Sequence, residues 1–224
     1  MSASSRPAGS PRRPAGATLR EVFPAPGAEA AAAGFVLARL GPGKGAVLWL
    51  QDRLAQRETG RPSLAGLGLR GPLLLMQLSR PVDVMMAAEE GLRCKTLAAV
   101  VAEIRGDPAA VSFTATKRLA LRAEAAGVAC WLIRQAATVD LSAARDRWRI
   151  ATLPSATHPD DPGAPGDPRW RVELFRCRDG RPGDWVARHD RGTAGAADRL
   201  DLVAALPDGT VAEDAGTLGQ RAAR

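Results

Sequence analysis

Apolar positions along the chain gather into short continuous runs separated by helical stretches, and the period of the pattern changes near residue 136. The first unit, 18–50, reads as strand, glycine turn, helix, turn, strand. Its parts are Thr18-Leu19-Arg20-Glu21-Val22-Phe23, then Pro24-Ala25-Pro26-Gly27, an alanine-rich run over 28–40, and Ala46-Val47-Leu48-Trp49-Leu50. A short helix is expected over 51–56, followed by a loop punctuated by glycine and proline up to residue 71. Leu73-Leu74-Leu75-Met76-Gln77-Leu78 lies between Gly71-Pro72 and Ser79-Arg80-Pro81. Its unbroken apolar character is that of a strand buried on both faces of a parallel sheet.

Pro81 opens a helix reaching about residue 93, with Val82, Met85, Met86 and Leu92 on its apolar face and Glu89-Glu90 on the wet one. Residues 97–103 make the next buried strand. Ser112 or Thr114 caps a helix over the residues up to 126, Gly127 stops it, and 128–134 is a further strand. Strands alternating with helices of this length need crossover connections, which predicts an α/β fold with a mostly parallel sheet flanked by helices.

Beyond residue 136 the pattern alternates with period two. Trp148-Arg149-Ile150-Ala151-Thr152-Leu153, Trp170-Arg171-Val172-Glu173-Leu174-Phe175-Arg176 and Asp184-Trp185-Val186-Ala187-Arg188 are separated by loops rich in proline, glycine and aspartate. They predict a C-terminal antiparallel extension with one wet face. The expected organisation is a flexible basic tail over 1–17, a core over 18–136, the extension over 137–190 and a weakly ordered tail over 191–224.

Composition narrows the function classes. The 224 residues are 46% hydrophobic and 25% charged, with a net charge of +7, which fits a globular chain that could meet an acidic partner. Cys94, Cys130 and Cys177 are far apart with no C-x-x-C pair, and there are only two histidines, His158 and His189. Neither a zinc site, nor a disulfide framework, nor a histidine-based triad is expected, so no metal and no cofactor are assigned. No apolar run is long enough to span a bilayer, and the N-terminus lacks the apolar core of a signal peptide, so a soluble cytoplasmic protein is expected.

The strand–turn–helix of 18–40 is the frame in which a phosphate-binding P-loop would sit. Laid over G-x-x-x-x-G-K-[ST], Gly27 takes the first glycine, Ala32 the second, Ala33 the lysine position and Gly34 the Ser/Thr position. Both the lysine and the hydroxyl are missing, which makes this a degenerate P-loop. Gly41-Pro42-Gly43-Lys44-Gly45 carries a Gly-Lys pair but leads into a strand, and reads as a helix-to-strand turn with Gly41 as the helix stop. Two carboxylates remain for ATPase chemistry: Glu103, either a metal-holding group or a plain polar strand terminus, and Asp52, either a water-activating group or the cap of a short helix. With the loop residues gone, no catalysis is expected.

The basic side chains are the other candidates. Lys117, Arg118 and Arg122 cluster on one helix, and Arg149, Arg171 and Arg176 stud the C-terminal strands beside Trp148 and Trp170. Arginine beside aromatic residues suits a partner-binding or nucleic-acid-binding face; equally, period-two alternation puts the tryptophans in the core and the arginines on the wet side. The predicted binding residues are Lys117, Arg118, Arg122, Arg149, Trp170, Arg171 and Arg176.

Several segments taken together resemble a known family. Gly45-Ala46-Val47-Leu48-Trp49-Leu50, Ala87-Ala88-Glu89-Glu90-Gly91-Leu92-Arg93-Cys94 and Leu97-Ala98-Ala99-Val100-Val101-Ala102-Glu103 are similar to segments of the RecA-like, ImuA-type inducible-mutagenesis proteins. So are Thr116-Lys117-Arg118-Leu119-Ala120-Leu121-Arg122-Ala123-Glu124-Ala125-Ala126-Gly127-Val128 and Pro168-Arg169-Trp170-Arg171-Val172-Glu173-Leu174-Phe175-Arg176-Cys177-Arg178. The resemblance covers about residues 19–189. It implies a RecA-like core and a non-catalytic adaptor role in a translesion-synthesis complex of the SOS response to DNA damage. The partners it implies are a catalytically inactive Y-family polymerase homologue, an error-prone replicative-type DNA polymerase subunit and the recombinase filament, at the nucleoid during damage. Direct DNA contact is left open. The alternatives are a division-inhibitor-like protein that binds a cytoskeletal GTPase, and a residual DNA-dependent ATPase.

Overall fold

The protein is described here from a computed structural model, whose described residues are 16–40, 45–62, 71–190 and 199–204. Among the described residues, glycine-rich turns and apolar runs fold as thirteen elements. They are β1 (Leu19–Pro24), α1 (Glu29–Leu40), β2 (Ala46–Asp52), α2 (Arg53–Thr59), β3 (Leu73–Leu78), α3 (Pro81–Gly91) and β4 (Leu97–Arg105). Then follow α4 (Phe113–Ala126), β5 (Ala129–Gln135), β6 (Asp146–Leu153), β7 (Arg169–Cys177), β8 (Gly183–Asp190) and β9 (Arg199–Ala204).

All the strands join one sheet in the order β3-β2-β4-β5-β1-β6-β7-β8-β9. Pairing is parallel from β3 to β6 and antiparallel from β6 to β9. This is the expected α/β class, with the antiparallel strands continuing the parallel sheet. The local punctuation holds as well. Ser112 Oγ accepts from the Ala115 amide at 3.3 Å, and Gly127 sits at φ 72°, the left-handed conformation that ends α4 cheaply only at glycine. Pro81 occupies the first turn of α3. The turn at 41–44 lies outside the described residues, as do 1–15 of the N-terminal tail.

Helices cover both faces of the sheet. On one side α1 lays Ala32, Phe35 and Val36 against Val22, Trp49, Trp131, Trp148, Trp170 and Trp185. On the other, α3 and α4 bury Val84, Ala88, Leu119 and Ala123 against Leu50, Val100, Cys130 and Leu132. The five tryptophans are therefore core residues, each at most 6% exposed. The period-two reading that turns them inward is the one that holds, and Trp170 is corrected from binding residue to core. Its ring packs edge-on to Phe35 at 6.4 Å and beside His189 at 5.7 Å.

Two further expectations change. β3 is an edge strand, not one buried on both faces: Leu74, Leu75 and Met76 are 49%, 42% and 45% exposed. An apolar run specifies a strand, but it does not say whether a second neighbour pairs with it. Arg199–Ala204, assigned to a weakly ordered tail, is the ninth strand, with His189 opposite Leu200 and Ala187 opposite Leu202. Leu200 and Leu202 pack against the α1 side of the core, enough apolar contact to hold a short strand in place. Residues 191–198 and 205–224 lie outside the described residues.

Candidate partner-docking cleft

Parallel α/β sheets place ligand chemistry at the carboxyl ends of their strands, so β1, β2, β4 and β5 are the first places to look. Between β1 and α1 the chain makes a tight turn. Only residues 25–28 separate the two elements, Ala28 N donates to Ala25 O at 2.9 Å, and Gly27 takes φ 79°. Helix α1 already begins at Glu29, which puts a carboxylate in the first turn, where phosphate oxygens would otherwise gather. Ala32, Ala33 and Gly34 lie inside that helix and not in a loop: Ala32 is buried in the core and Ala33 packs partly against it. A Cβ on Gly34 would approach Trp170 Cζ2 to 2.9 Å, so glycine is required there by the indole packed against the helix.

The two carboxylates at the strand ends are both engaged. Glu103, 3% exposed, accepts from Trp49 Nε1 at 2.9 Å and Gln51 Nε2 at 2.8 Å on one oxygen. Its other oxygen accepts from Thr59 Oγ1 at 3.1 Å and from Gln135 Nε2. Burial raises its pKa; the hydrogen bonds oppose that shift, and the neighbouring Asp52 charge adds to it. Asp52 caps α2, accepting from the amides of Leu54 at 2.7 Å and Ala55 at 2.8 Å, while its second oxygen accepts from Arg105 N at 3.0 Å. Among the described residues there is no group of three metal-ligating side chains, and no helix is long and apolar enough to cross a membrane.

The basic residues divide differently from their sequence clustering. Arg118 and Arg122 are held by Glu89 of α3, at 3.1 and 2.7 Å, and tie the two helices together. Arg149 lies over the Phe175 ring at 4.3 Å and pairs with Glu173 at 2.9 Å. Arg171 is exposed on the sheet, opposite Ala151 and Val186. Lys117 and Arg176, far apart in sequence, meet in one cleft of about 520 Å³.

This cleft runs between α4, the segment 142–144 and the end of β7. Phe113, Lys117 and Leu121 project at four-residue spacing along one stripe of α4 and line one wall. Arg176 and Arg178 line the opposite wall. Phe113 and Leu121, missed by sequence reasoning, are 43% and 56% exposed. The signal that could have found them is a pair of large apolar residues eight positions apart, either side of Lys117, on a helix face that otherwise carries charge.

A buried network fixes the cleft's floor. Ser142 Oγ donates to Glu21 Oε1 at 2.7 Å, and Arg147 Nε donates to Glu21 Oε2 at 2.6 Å, with both members of that ion pair nearly inaccessible. Arg147 Nη1 also donates to the Asp140 carbonyl at 2.8 Å, and Ala143 N donates to Thr116 Oγ1 at 3.2 Å. The chain over 140–144 is thus bolted to β1, β6 and α4 and presents a preformed wall. The one carboxylate in the lining, Glu124, accepts from Arg145 Nε at 2.7 Å and Thr18 Oγ1 at 3.2 Å. Its pKa is lowered, chiefly by the Arg145 hydrogen bond. Lys117, Arg176 and Arg178 therefore set the sign of the cleft.

Comparison with known proteins adds the following. Over 179 residues the chain is 36% identical to Protein ImuA from two strains of Caulobacter vibrioides, covering 75% of this chain and 70% of the relative. The crystal structure of SulA from Pseudomonas aeruginosa aligns with 56% of this chain and 99% of its own, at 21% identity and a TM-score of 0.38, a likeness too slight to bear on function. No protein-family model matches the chain.

Proposed function

The chain belongs to the ImuA family, and on that premise we propose that it is a non-catalytic accessory protein of DNA-damage-induced mutagenesis. Its work is to hold partners together. In this reading it links an inactive Y-family polymerase homologue with an error-prone replicative-type polymerase subunit in a translesion-synthesis complex, and it meets the recombinase filament at damaged DNA.

One observation carries the non-catalytic part. The carboxylates at the strand ends, Glu103 and Asp52, have both oxygens committed to protein donors within the fold. Phosphoryl transfer depends on positioned charge that is free to meet a metal and a nucleophile. A carboxylate answering four protein donors would have to surrender them first, at about 1–3 kcal/mol for each buried group left unsatisfied. The binding part is supported by a rigid, positively charged cleft on the opposite side of the sheet from α1.

The test is genetic. In a strain lacking this chain, damage-induced mutation frequency should fall to the undamaged background and return when the wild-type chain is supplied. An unchanged frequency in the deletion strain would contradict the proposal. In parallel, Mg²⁺·ATP should not raise the melting temperature, because stabilisation by RT ln(1 + [L]/Kd) appears only when the folded state binds the ligand.

A further inference from the structure

The cleft has a chemistry of its own, and the geometry points to its occupant: a short acidic protein segment that inserts one or two apolar side chains between α4 and the 142–144 wall. This deepens the accessory reading, on which it rests, by naming what kind of partner segment is held and where.

Three features lead to that occupant. The α4 wall carries two large apolar side chains, Phe113 and Leu121, left 43% and 56% exposed, while Leu119 of the same helix is buried. Exposed apolar side chains over a rigid floor are the anchoring half of a peptide-docking groove. Lys117, Arg176 and Arg178 supply the second feature, positive charge at the rim, while the lining carboxylate Glu124 is already bound by Arg145 and Thr18. Complementary rim charge selects an acidic partner and steers its approach.

The third feature is the fixed wall. The Glu21–Arg147–Ser142 network holds the segment in place, so a peptide need not order it on binding. Nucleic acid fits less well. A strand needs a continuous basic track along its phosphates, and among the described residues the cations lining this cleft are Lys117, Arg176 and Arg178 alone, interleaved with apolar side chains. A volume of about 520 Å³ accommodates a few side chains, not a run of bases.

The test is selection of a displayed random-peptide library against the full chain, followed by fluorescence anisotropy of the enriched peptides. Enriched sequences should place Asp or Glu beside Leu, Ile, Phe or Trp. Their affinity should drop roughly tenfold or more for Lys117→Glu combined with Arg176→Glu, and separately for Leu121→Asp, and should fall with added salt. Lys95→Glu, an exposed charge in the α3–β4 connection, should leave it unchanged. All the replaced side chains are exposed, and circular dichroism and melting temperature are to be measured as the check that each variant folds. Failure to enrich, enriched peptides without acidic residues, or equal binding by the double variant would overturn the inference. So would an oligo-dT probe that binds the wild type and is lost on the same substitutions, which would make the cleft a nucleic-acid site. Each of these results leaves the genetic test of the accessory role standing or falling by itself.

Discussion

Gly34 is where a phosphate-loop reading and a packing reading of α1 predict opposite outcomes. Gly34→Ser supplies the hydroxyl that a P-loop pattern laid over residues 27–34 would place there. In the folded chain its Cβ would lie 2.9 Å from Trp170 Cζ2 and 3.3 Å from Cη2. Carbon atoms settle at about 3.5–4.0 Å, so ring and helix must part by roughly 0.6 Å or more. The indole has little room to retreat, because Phe35 packs against it at 6.4 Å, His189 lies 5.7 Å away, and it is only 6% exposed.

Replacing a helical glycine with serine returns about 0.5 kcal/mol of helix propensity. Overpacking costs about 1–3 kcal/mol. The net expectation is a loss of about 0.5–2.5 kcal/mol, read as a lower urea midpoint with an unchanged slope when tryptophan fluorescence is followed. Gly34→Ala adds the same Cβ without the hydroxyl and returns about 1 kcal/mol of helix propensity, so it should lose about 0–2 kcal/mol, less than the serine variant. Wild-type stability in both variants would refute the packing argument. Recovery of Gly34→Ser on adding Mg²⁺·ATP would refute the reading of α1 as a helix without a phosphate loop.

Other perturbations follow from the same contacts. Glu21→Leu leaves Arg147 charged and buried beside an apolar side chain, which should cost about 3–5 kcal/mol in denaturant unfolding; a loss below 1 kcal/mol would show that the pair does not anchor the cleft floor. Glu103 has a folded-state pKa above its unfolded value, so its contribution to stability is largest below the unfolded pKa and is lost as pH rises through the raised one. The melting temperature of Glu103→Gln relative to wild type should therefore climb as pH rises above the ordinary carboxylate range, and a pH-independent difference would refute the desolvation argument. Burial pushes the Cys130 thiol up to about 12, whereas a hydrogen bond with Thr96 lowers the exposed Cys94 thiol. Iodoacetamide should label Cys94 in the native chain and Cys130 only after unfolding, and equal native labelling would contradict the placement of β5.

Much of the fold was legible because its signals are local. Ser112, Gly127 and Pro81 end or begin their helices for reasons written within a turn of chain, and the change from continuous to alternating apolar runs marks where the sheet turns antiparallel. What stayed hidden depends on neighbours. The run Leu73–Leu78 looks the same at an edge as in the middle of a sheet, and only the strand order separates the two. Leu200 and Leu202 are too few to announce a strand, yet they suffice once β8 offers an edge and α1 a surface. The basic residues show both cases. Arg118 and Arg122 look free until α3 brings Glu89 beside them, while Lys117 and Arg176 become one site only after β7 returns alongside α4.

Affinity purification of the tagged full chain from cells treated with a DNA-damaging agent, with the bound proteins identified by mass spectrometry, tests the accessory role most directly. Removing the C-terminal strands would not serve as a comparison, because Trp148, Trp170 and Trp185 belong to the core. The comparison chain is instead Lys117→Glu with Arg176→Glu. The account predicts that translesion polymerase components copurify with the wild-type chain and are depleted from the charge-reversed one. Recovery of a cytoskeletal division GTPase with no polymerase component in either sample would contradict it.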